Sequence, residues 1–331
     1  MNIEENFNDF YNSFLISNKE DFDKIEIQQN RAIKERKNNK KIIIMVEITL
    51  LTIIILWTII FGWEEDNVGV QEWCGLAGFL FPMIIALKKR QKLEEYEDVY
   101  QNKIIKKLIQ HFSPKLEYYP NETISDEEYR KMGIQNFNEF NSSNIIRGIY
   151  KNNEITISKI ITKYISSRIS YEGISENGIN TRRKTSVQET FDGIFIKAKL
   201  SQNMKTDLYI KSKVHLNEKA FNNFIESIEG KEYCKIDDNE LNNIFNIYSS
   251  NLDVNIRMLD SEMKSILIDI YNRQKFEIVI KDDYIYIRFW IVGLFSNPQL
   301  ERKTNDKEIL YKNYKMLYLV FYLLTKIEEK I

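Results

Sequence analysis

FEIVIKDDYIYIRF, Phe276–Phe289, decides the fold. Phe276, Ile278 and Ile280 alternate with their neighbours, Lys281-Asp282-Asp283 supplies a turn, and Ile285, Ile287 and Phe289 resume the alternation, so the stretch reads as a β-hairpin. Upstream, Glu154–Ile169, Phe191–Leu200 and Asp207–Val214 are short alternating runs rich in β-branched and aromatic residues, and they read as further strands. Asn217–Ser227, Asp238–Ser249 and Asp260–Arg273 read as helices, with Asn217, Asp238 and Asp260 as N-caps. In the last segment, Asp306–Lys330, Leu310, Tyr314, Leu317, Phe321 and Leu324 recur at heptad-like intervals. Its apolar run Met316–Leu324 is nine residues long and bounded by Lys315 and Lys326, too short for a bilayer, so it reads as a buried core helix. Residues 116–331 are therefore expected to form a cytosolic α+β domain with a mainly antiparallel sheet and a C-terminal helix.

The N-terminal part follows another rule. Ile42–Trp63 is an apolar run of 22 residues, roughly 33 Å at about 1.5 Å per helical residue, enough to cross a hydrocarbon core of about 30 Å. Val68–Leu87 is a second, shorter apolar run, and together they predict a transmembrane helical hairpin over 42–87. Arg31, Lys34, Arg36, Lys37, Lys40 and Lys41 precede it, Lys88, Lys89, Arg90 and Lys92 follow it, and the connecting loop holds Glu64, Glu65, Asp66 and Glu72. By the positive-inside rule both termini lie in the cytoplasm, which makes this a multi-pass protein of the inner (cytoplasmic) membrane. Trp63 and Trp73 stand at headgroup level. Before the membrane, over 1–41, Phe7, Phe10, Tyr11, Phe14 and Leu15 make an amphipathic helix that continues through Phe22, Ile25 and Ile33. After it, over 88–115, Leu93, Tyr96, Tyr100, Ile104, Leu108 and Phe112 form a juxtamembrane helix that ends at Ser113-Pro114. The hairpin roots these two helices side by side, so their apolar stripes are expected to pack on each other or on neighbouring protomers.

The charge balance excludes some partners. Lys and Arg total 47 against 48 acidic residues, giving a net charge of −1, without the basic excess that tracks a phosphate backbone, so nucleic acid is not expected as a partner. Cys74 and Cys234 are the two cysteines, too few and too far apart for a disulfide framework or a zinc site. His111 and His215 are the two histidines, and no HExxH, GxSxG, phosphate-loop or GxGxxG pattern accompanies them. Asp237, Asp238 and Glu240 lack the alternate ligands and central Gly of an EF-hand and read as an acidic helix start. No metal, no cofactor and no enzymatic reaction is expected.

Two membrane features and one basic cluster remain as candidate sites. Glu47 lies six residues past Lys41, about 9 Å into the first span; it either snorkels to the cytoplasmic interface and pairs with a nearby lysine or lines a pore. Cys74, Gly78, Pro82 and Ala86 recur every four residues along the second span, a small-residue stripe that packs on the first span of its own hairpin or on another protomer. Arg182, Arg183 and Lys184 form a basic triplet, and Lys197, Lys199, Lys211 and Lys213 alternate along two strands. These read as a solvated strand face, with anionic lipid or an acidic ligand as the sharper alternative. The aromatic set Tyr284, Tyr286, Phe289 and Trp290 reads as core.

Two closely spaced N-terminal spans, the basic helical segment Lys88–Phe112, the block Phe191-Asp192-Gly193-Ile194-Phe195 and the hairpin at Phe276–Phe289 resemble the bacterial domain-of-unknown-function family DUF3137. The similarity extends over Leu93–Val292. Gly within the F-x-G-x-F strand implies a bulge or a close backbone approach. The resemblance implies the architecture and a bacterial membrane location, and it brings no activity. The first functional expectation is a membrane-anchored binding or scaffold protein that presents its α+β domain to a protein partner. The alternative is a ligand-sensing, defence-type effector whose hairpins assemble as a homo-oligomeric pore.

Overall fold

The computed structural model describes residues 2–61, 93–133, 137–175, 178–202, 207–213, 234–236, 238–251, 258–281, 283–291, 294–295, 300 and 302–330. It divides into two units: Met1–Lys107 with Ser296–Tyr311, and Leu108–Phe295 with Lys312–Ile331.

The second unit is built on one sheet. Its strands are β1 (Leu116–Tyr119), β2 (Glu139–Tyr150), β3 (Asn153–Ser175), β4 (Gly178–Lys199), β5 (Leu208–Ser212), β6 (Cys234–Ile236), β7 (Phe245–Ser249), β8 (Phe276–Lys281) and β9 (Tyr284–Trp290). Among the described residues the order is β1-β2-β3-β4-β9-β8-β5-β7-β6, antiparallel throughout, and the sheet is open. The expected hairpin is β8–β9, in register from Phe276↔Phe289 to Lys281↔Tyr284. Asp283 takes a left-handed φ of 63° there, which a short polar side chain tolerates. The fold is α+β, as the sequence predicts.

Both faces of the central strands are covered, which is why Ile285 to Phe289 are buried without alternation. On one face lie helices α5 (Ser261–Arg273) and α6 (Lys307–Glu328, from Lys312 in this unit). Tyr271 of α5 packs on Phe245 and Phe276, and Phe321 of α6 lies 4.3 Å from Tyr150 between ring centroids. On the other face the segment between β1 and β2, with the short helix α4 (Asp126–Arg130), buries Ile124, Tyr129, Met132 and Phe137 against Phe191, Phe195, Tyr209, Val279 and Tyr286. Of the caps expected from sequence Asp260 is in place, and Asp306 is a cap that the sequence did not lead us to expect. Asp260 accepts from the Met263 amide, and Asp306 accepts from the Glu308 and Ile309 amides.

One expected helix is corrected. Asp238–Ser249 is a turn followed by β7, not a helix. Leu241, Ile244, Phe245 and Tyr248 fit a helical spacing, but Phe245, Ile247 and Ser249 are buried at period two, and pairing with β5 and β6 decides the outcome. Asp238 still accepts from the amides of Glu240 and Leu241, now closing a turn, and pairs with Lys264. The expected helix Asn217–Ser227 lies outside the described residues.

The first unit is helical: α1 (Ile3–Ser17), α2 (Lys19–Phe61) and the start of a helix over 93–112, α3, which contains a π turn at Gln101–Ile105. The expected continuous N-terminal helix is broken at Asn18, whose amide group turns back onto the Phe14 carbonyl. Phe7, Phe10, Phe14 and Phe22 form a run of ring contacts. Asp21 of α2 is bridged by Lys103 at 3.1 Å and Lys107 at 2.5 Å of α3, so the two helices expected to meet do meet. The two lysines, with Lys107 the stronger, hold the Asp21 carboxyl below its usual range.

Counting only described residues, no helix is long and apolar enough to cross a membrane. The backbone of α2 continues to Phe61, but several side chains of the expected first span, Glu47 among them, lie outside the description. So do the loop and the second span with Cys74, Gly78, Pro82 and Ala86.

Candidate functional site

Three charged side chains sit in the core of the sheet. The register that pairs Val279 with Tyr286 also pairs Glu277 with Arg288, and Arg288 with Phe195 on the far side. Lys211 on β5 completes the row. These side chains are 2% (Lys211), 0% (Glu277) and 6% (Arg288) exposed, on the face closed by α4. One oxygen of Glu277 receives Arg288 Nε at 2.7 Å and lies 3.8 Å from Lys211 Nζ, while the other accepts from the Ser212 amide at 3.2 Å. The covering segment is fastened to the same row. Arg288 Nη1 donates to the Tyr129 hydroxyl at 3.2 Å, and Lys211 Nζ donates to the Met132 carbonyl at 3.0 Å.

Aromatic rings finish the enclosure. The Arg288 guanidinium lies 4.5 Å from the Trp290 centroid and 5.4 Å from that of Phe191. At the rim Lys197 pairs with Glu128 at 2.7 Å and stands 4.7 Å over Tyr284. Two cations and one carboxylate leave one excess positive charge out of water. Burial holds the Lys211 ammonium down at about 8 from 10.5, with Arg288 adding to the shift and Glu277 opposing it. Burial likewise pushes the Tyr129 phenol up, against the pull of Arg288.

The sign of the Lys211 shift gives a pH dependence. Between about pH 8 and the onset of tyrosine titration below about 10, the unfolded chain keeps a proton that the folded chain has released, so stability rises with pH across that window; above it the raised phenols of Tyr118 and Tyr129 act with the opposite sign. Urea unfolding of the parent at a series of pH values is expected to show this rise, and Lys211→Met to lack it. Parallel curves for the two proteins would show that Lys211 is not the buried titrating group.

The row overturns part of the expected solvated strand face. Lys199 and Lys213 are exposed, but Lys197 is half-buried and Lys211 fully so. The aromatic set is core in Tyr286 and Phe289 and partly buried in Tyr284 and Trp290. His111 packs edge-on against Phe112 and tilted against Tyr314, its pKa lowered by burial. His215 and Asp237 lie outside the described residues. Arg182 and Arg183 have a described backbone in β4, and Lys184 is exposed there.

A second feature lies on the helix-covered face, where a cavity of about 190 Å³ is lined by Ile155, Ala198, Leu200, Ile285, Leu324 and Ile327. At its mouth the Ser201 hydroxyl donates to Glu328 at 2.5 Å. The volume is below the usual range for a drug-sized ligand.

The F-x-G-x-F block runs through the middle of this architecture. Gly193 lies between Ile160 of β3 and Trp290 of β9, and a Cβ there would stand 2.0 Å from the Phe289 carbonyl oxygen. This is the close backbone approach that a strand glycine predicts. A register shift beside it, between Thr162 and Lys163, leaves Thr190 as the extra residue, its hydroxyl 2.7 Å from that of Thr162. Residues 189–328 match the family described as Protein of unknown function (DUF3137). The chain carries a DUF3137 region. It starts inside β4 and runs through α6, later at both ends than the expected Leu93–Val292. It holds Gly193, Lys211, Glu277 and Arg288, while Tyr129 stands before it. No curated protein and no solved structure matches the chain.

Proposed function

We propose that the chain is a membrane-anchored binding protein, held by α2 and the apolar run after it, that presents the α+β unit to a protein partner. One observation carries the anchor. Ile42, Ile44, Met45, Ile48, Leu51, Ile55, Leu56 and Ile59 on α2 are exposed, Ile59 by 74%. Each such side chain left in water forgoes about 1.5–3 kcal/mol, and a helix apolar around its circumference is one whose surroundings are apolar. Lipid supplies those surroundings. With basic residues before Ile42 and after Leu87, the positive-inside rule favours a hairpin in the cytoplasmic membrane with both termini inside.

The rest of the reading concerns the α+β unit. Its buried charges are engaged with one another and with backbone groups, an arrangement suited to fixing a surface and not to turning over a substrate, so no reaction is assigned. The pore-forming alternative needs Glu47 and the stripe Cys74, Gly78, Pro82 and Ala86, none of whose side chains is among those described. Binding is the reading that the exposed apolar side chains of α2 and the enclosed charges of the α+β unit support.

Alkaline carbonate washing of membranes from cells expressing the full chain tests the anchor. The parent is expected to stay in the pellet and to be released only by detergent. A variant with Ile44, Ile48, Leu51 and Ile55 changed to Asn is expected in the soluble fraction or to fail to accumulate. Parent protein found wholly in the wash would remove the anchor and the reading with it.

A further inference from the structure

Most of the sheet has strands on both sides, but β3 and β4 run past it. β2 pairs with β3 as far as Glu139↔Lys163, and β9 pairs with β4 only from Gly193. The Asn138 side chain closes the end of the sheet, accepting from the Ile165 amide and donating to the Ile165 carbonyl. Beyond it, among the described residues, β3 and β4 pair only with each other, out to Ser175↔Gly178. An isolated two-stranded ribbon is marginal in water, so one of this length calls for a reason.

Its composition supplies one. Across the six consecutive pairs from Ser166↔Ser186 to Tyr171↔Thr181 stand four cations, Arg168, Arg182, Arg183 and Lys184, and six Ser or Thr residues, with no carboxylate. Arg168 and Lys184 are direct register partners, and like charges directly opposite each other destabilise a ribbon. An anion between them reverses that sign. Arginine, lysine and hydroxyl side chains are the groups that hold phosphate oxygens, and the net charge of −1 over the chain argues against a nucleic-acid footprint.

We propose that this ribbon docks on the phosphate groups of an anionic lipid surface, with Arg168, Arg182 and Lys184, which the register places on one face, as the contact set and Arg183 on the other face adding only to the net positive charge. The proposal rests on the membrane-anchored reading. A protein held at a bilayer meets headgroups at high effective concentration, so a patch of few charges suffices. Binding would give the two-stranded ribbon a third partner, and would turn one surface of the α+β unit toward the bilayer.

Hydrogen exchange tests it on the full chain reconstituted in bilayers of phosphatidylcholine, with or without phosphatidylglycerol. In the anionic bilayer, amides of residues 166–171 and 181–186 are expected to exchange about tenfold more slowly than in the neutral one. A variant with all four cations changed to Gln is expected to exchange equally in both, with β8 and β9 unchanged as a check on folding. Equal exchange of the parent in both bilayers would overturn the proposal. So would slowing by single-stranded RNA, added to the neutral bilayer, that matched the effect of phosphatidylglycerol. Carbonate extraction reports the anchor separately. If the parent is stripped, the bilayer comparison is made by flotation at neutral pH, where binding that depends on phosphatidylglycerol and on the four cations supports the ribbon and its absence overturns it.

Discussion

Changing Glu277 to Gln is expected to destabilise the α+β unit by about 3–5 kcal/mol, the cost of leaving buried charge without its partner. The substitution keeps the shape of the side chain and removes its charge. Arg288 and Lys211 would then face each other's field with an amide between them, in a site where each is nearly inaccessible to water. Lys211, already held at about 8 with Glu277 opposing the shift, would fall further. Restoring the charge balance differently is expected to recover most of the loss. In Glu277→Leu combined with Arg288→Met and Lys211→Met all three charges are gone, and apolar replacements of buried ion groups are often neutral or stabilising. Urea midpoints of the parent, the single variant and the triple variant decide it. A single variant within about 1 kcal/mol of the parent would mean that solvent reaches the row and that the buried-charge account is wrong.

The row also shows where sequence stops being sufficient. A three-residue turn at Lys281–Asp283 would set Glu277 against Ile287; the pair Lys281↔Tyr284 shifts the count by one and sets it against Arg288, so the sequence put both residues in the hairpin without the register that joins them. Lys211 was hidden, because its approach to Glu277 depends on β5 lying beside β8, a pairing across more than sixty residues that no local pattern announces. Tyr129 was hidden for a different reason, since it sits on a five-residue helix between strands. β2 escaped because Asn141-Ser142-Ser143-Asn144 has the composition of a loop. Its Asn144 has a φ of 56°, and a register shift there separates two better strand segments. Helix α5 was legible through its apolar stripe and its Asp260 cap, and α6 through its apolar stripe alone. The turn and strand at Asp238–Ser249 offered a helical stripe and a cap too, and tertiary pairing overrode them. The membrane features and the triplet at Arg182 were read from composition, and they become proposals about lipid, not about the sheet.

Changing Gly193 to Ala is expected to cost about 3 kcal/mol, the upper end of what overpacking a core costs, and Gly193→Val more. The added carbon would lie 2.0 Å from the carbonyl oxygen of Phe289 and 2.8 Å from the ring of Phe191. The ring can turn aside, but the carbonyl belongs to β9 in the middle of the sheet, and moving it separates the pair Gly193↔Trp290 that joins the β3–β4 half of the sheet to the β8–β9 hairpin. The effect should therefore reach beyond the local strand. Arg288 is in β9 next to Phe289, and a displaced β9 would loosen the bond from Arg288 to Tyr129 that fastens the covering segment. Ile194→Val, one residue on, removes a methylene group and is expected to cost about 1 kcal/mol without disturbing that bond. Comparing urea midpoints of the two variants, together with exchange of the Tyr129 amide, separates a clash at one glycine from general sensitivity of the strand. If Gly193→Ala unfolds at the parent's midpoint, β4 and β9 are not held as closely as described, and the glycine of the F-x-G-x-F block must be explained by something other than the sheet.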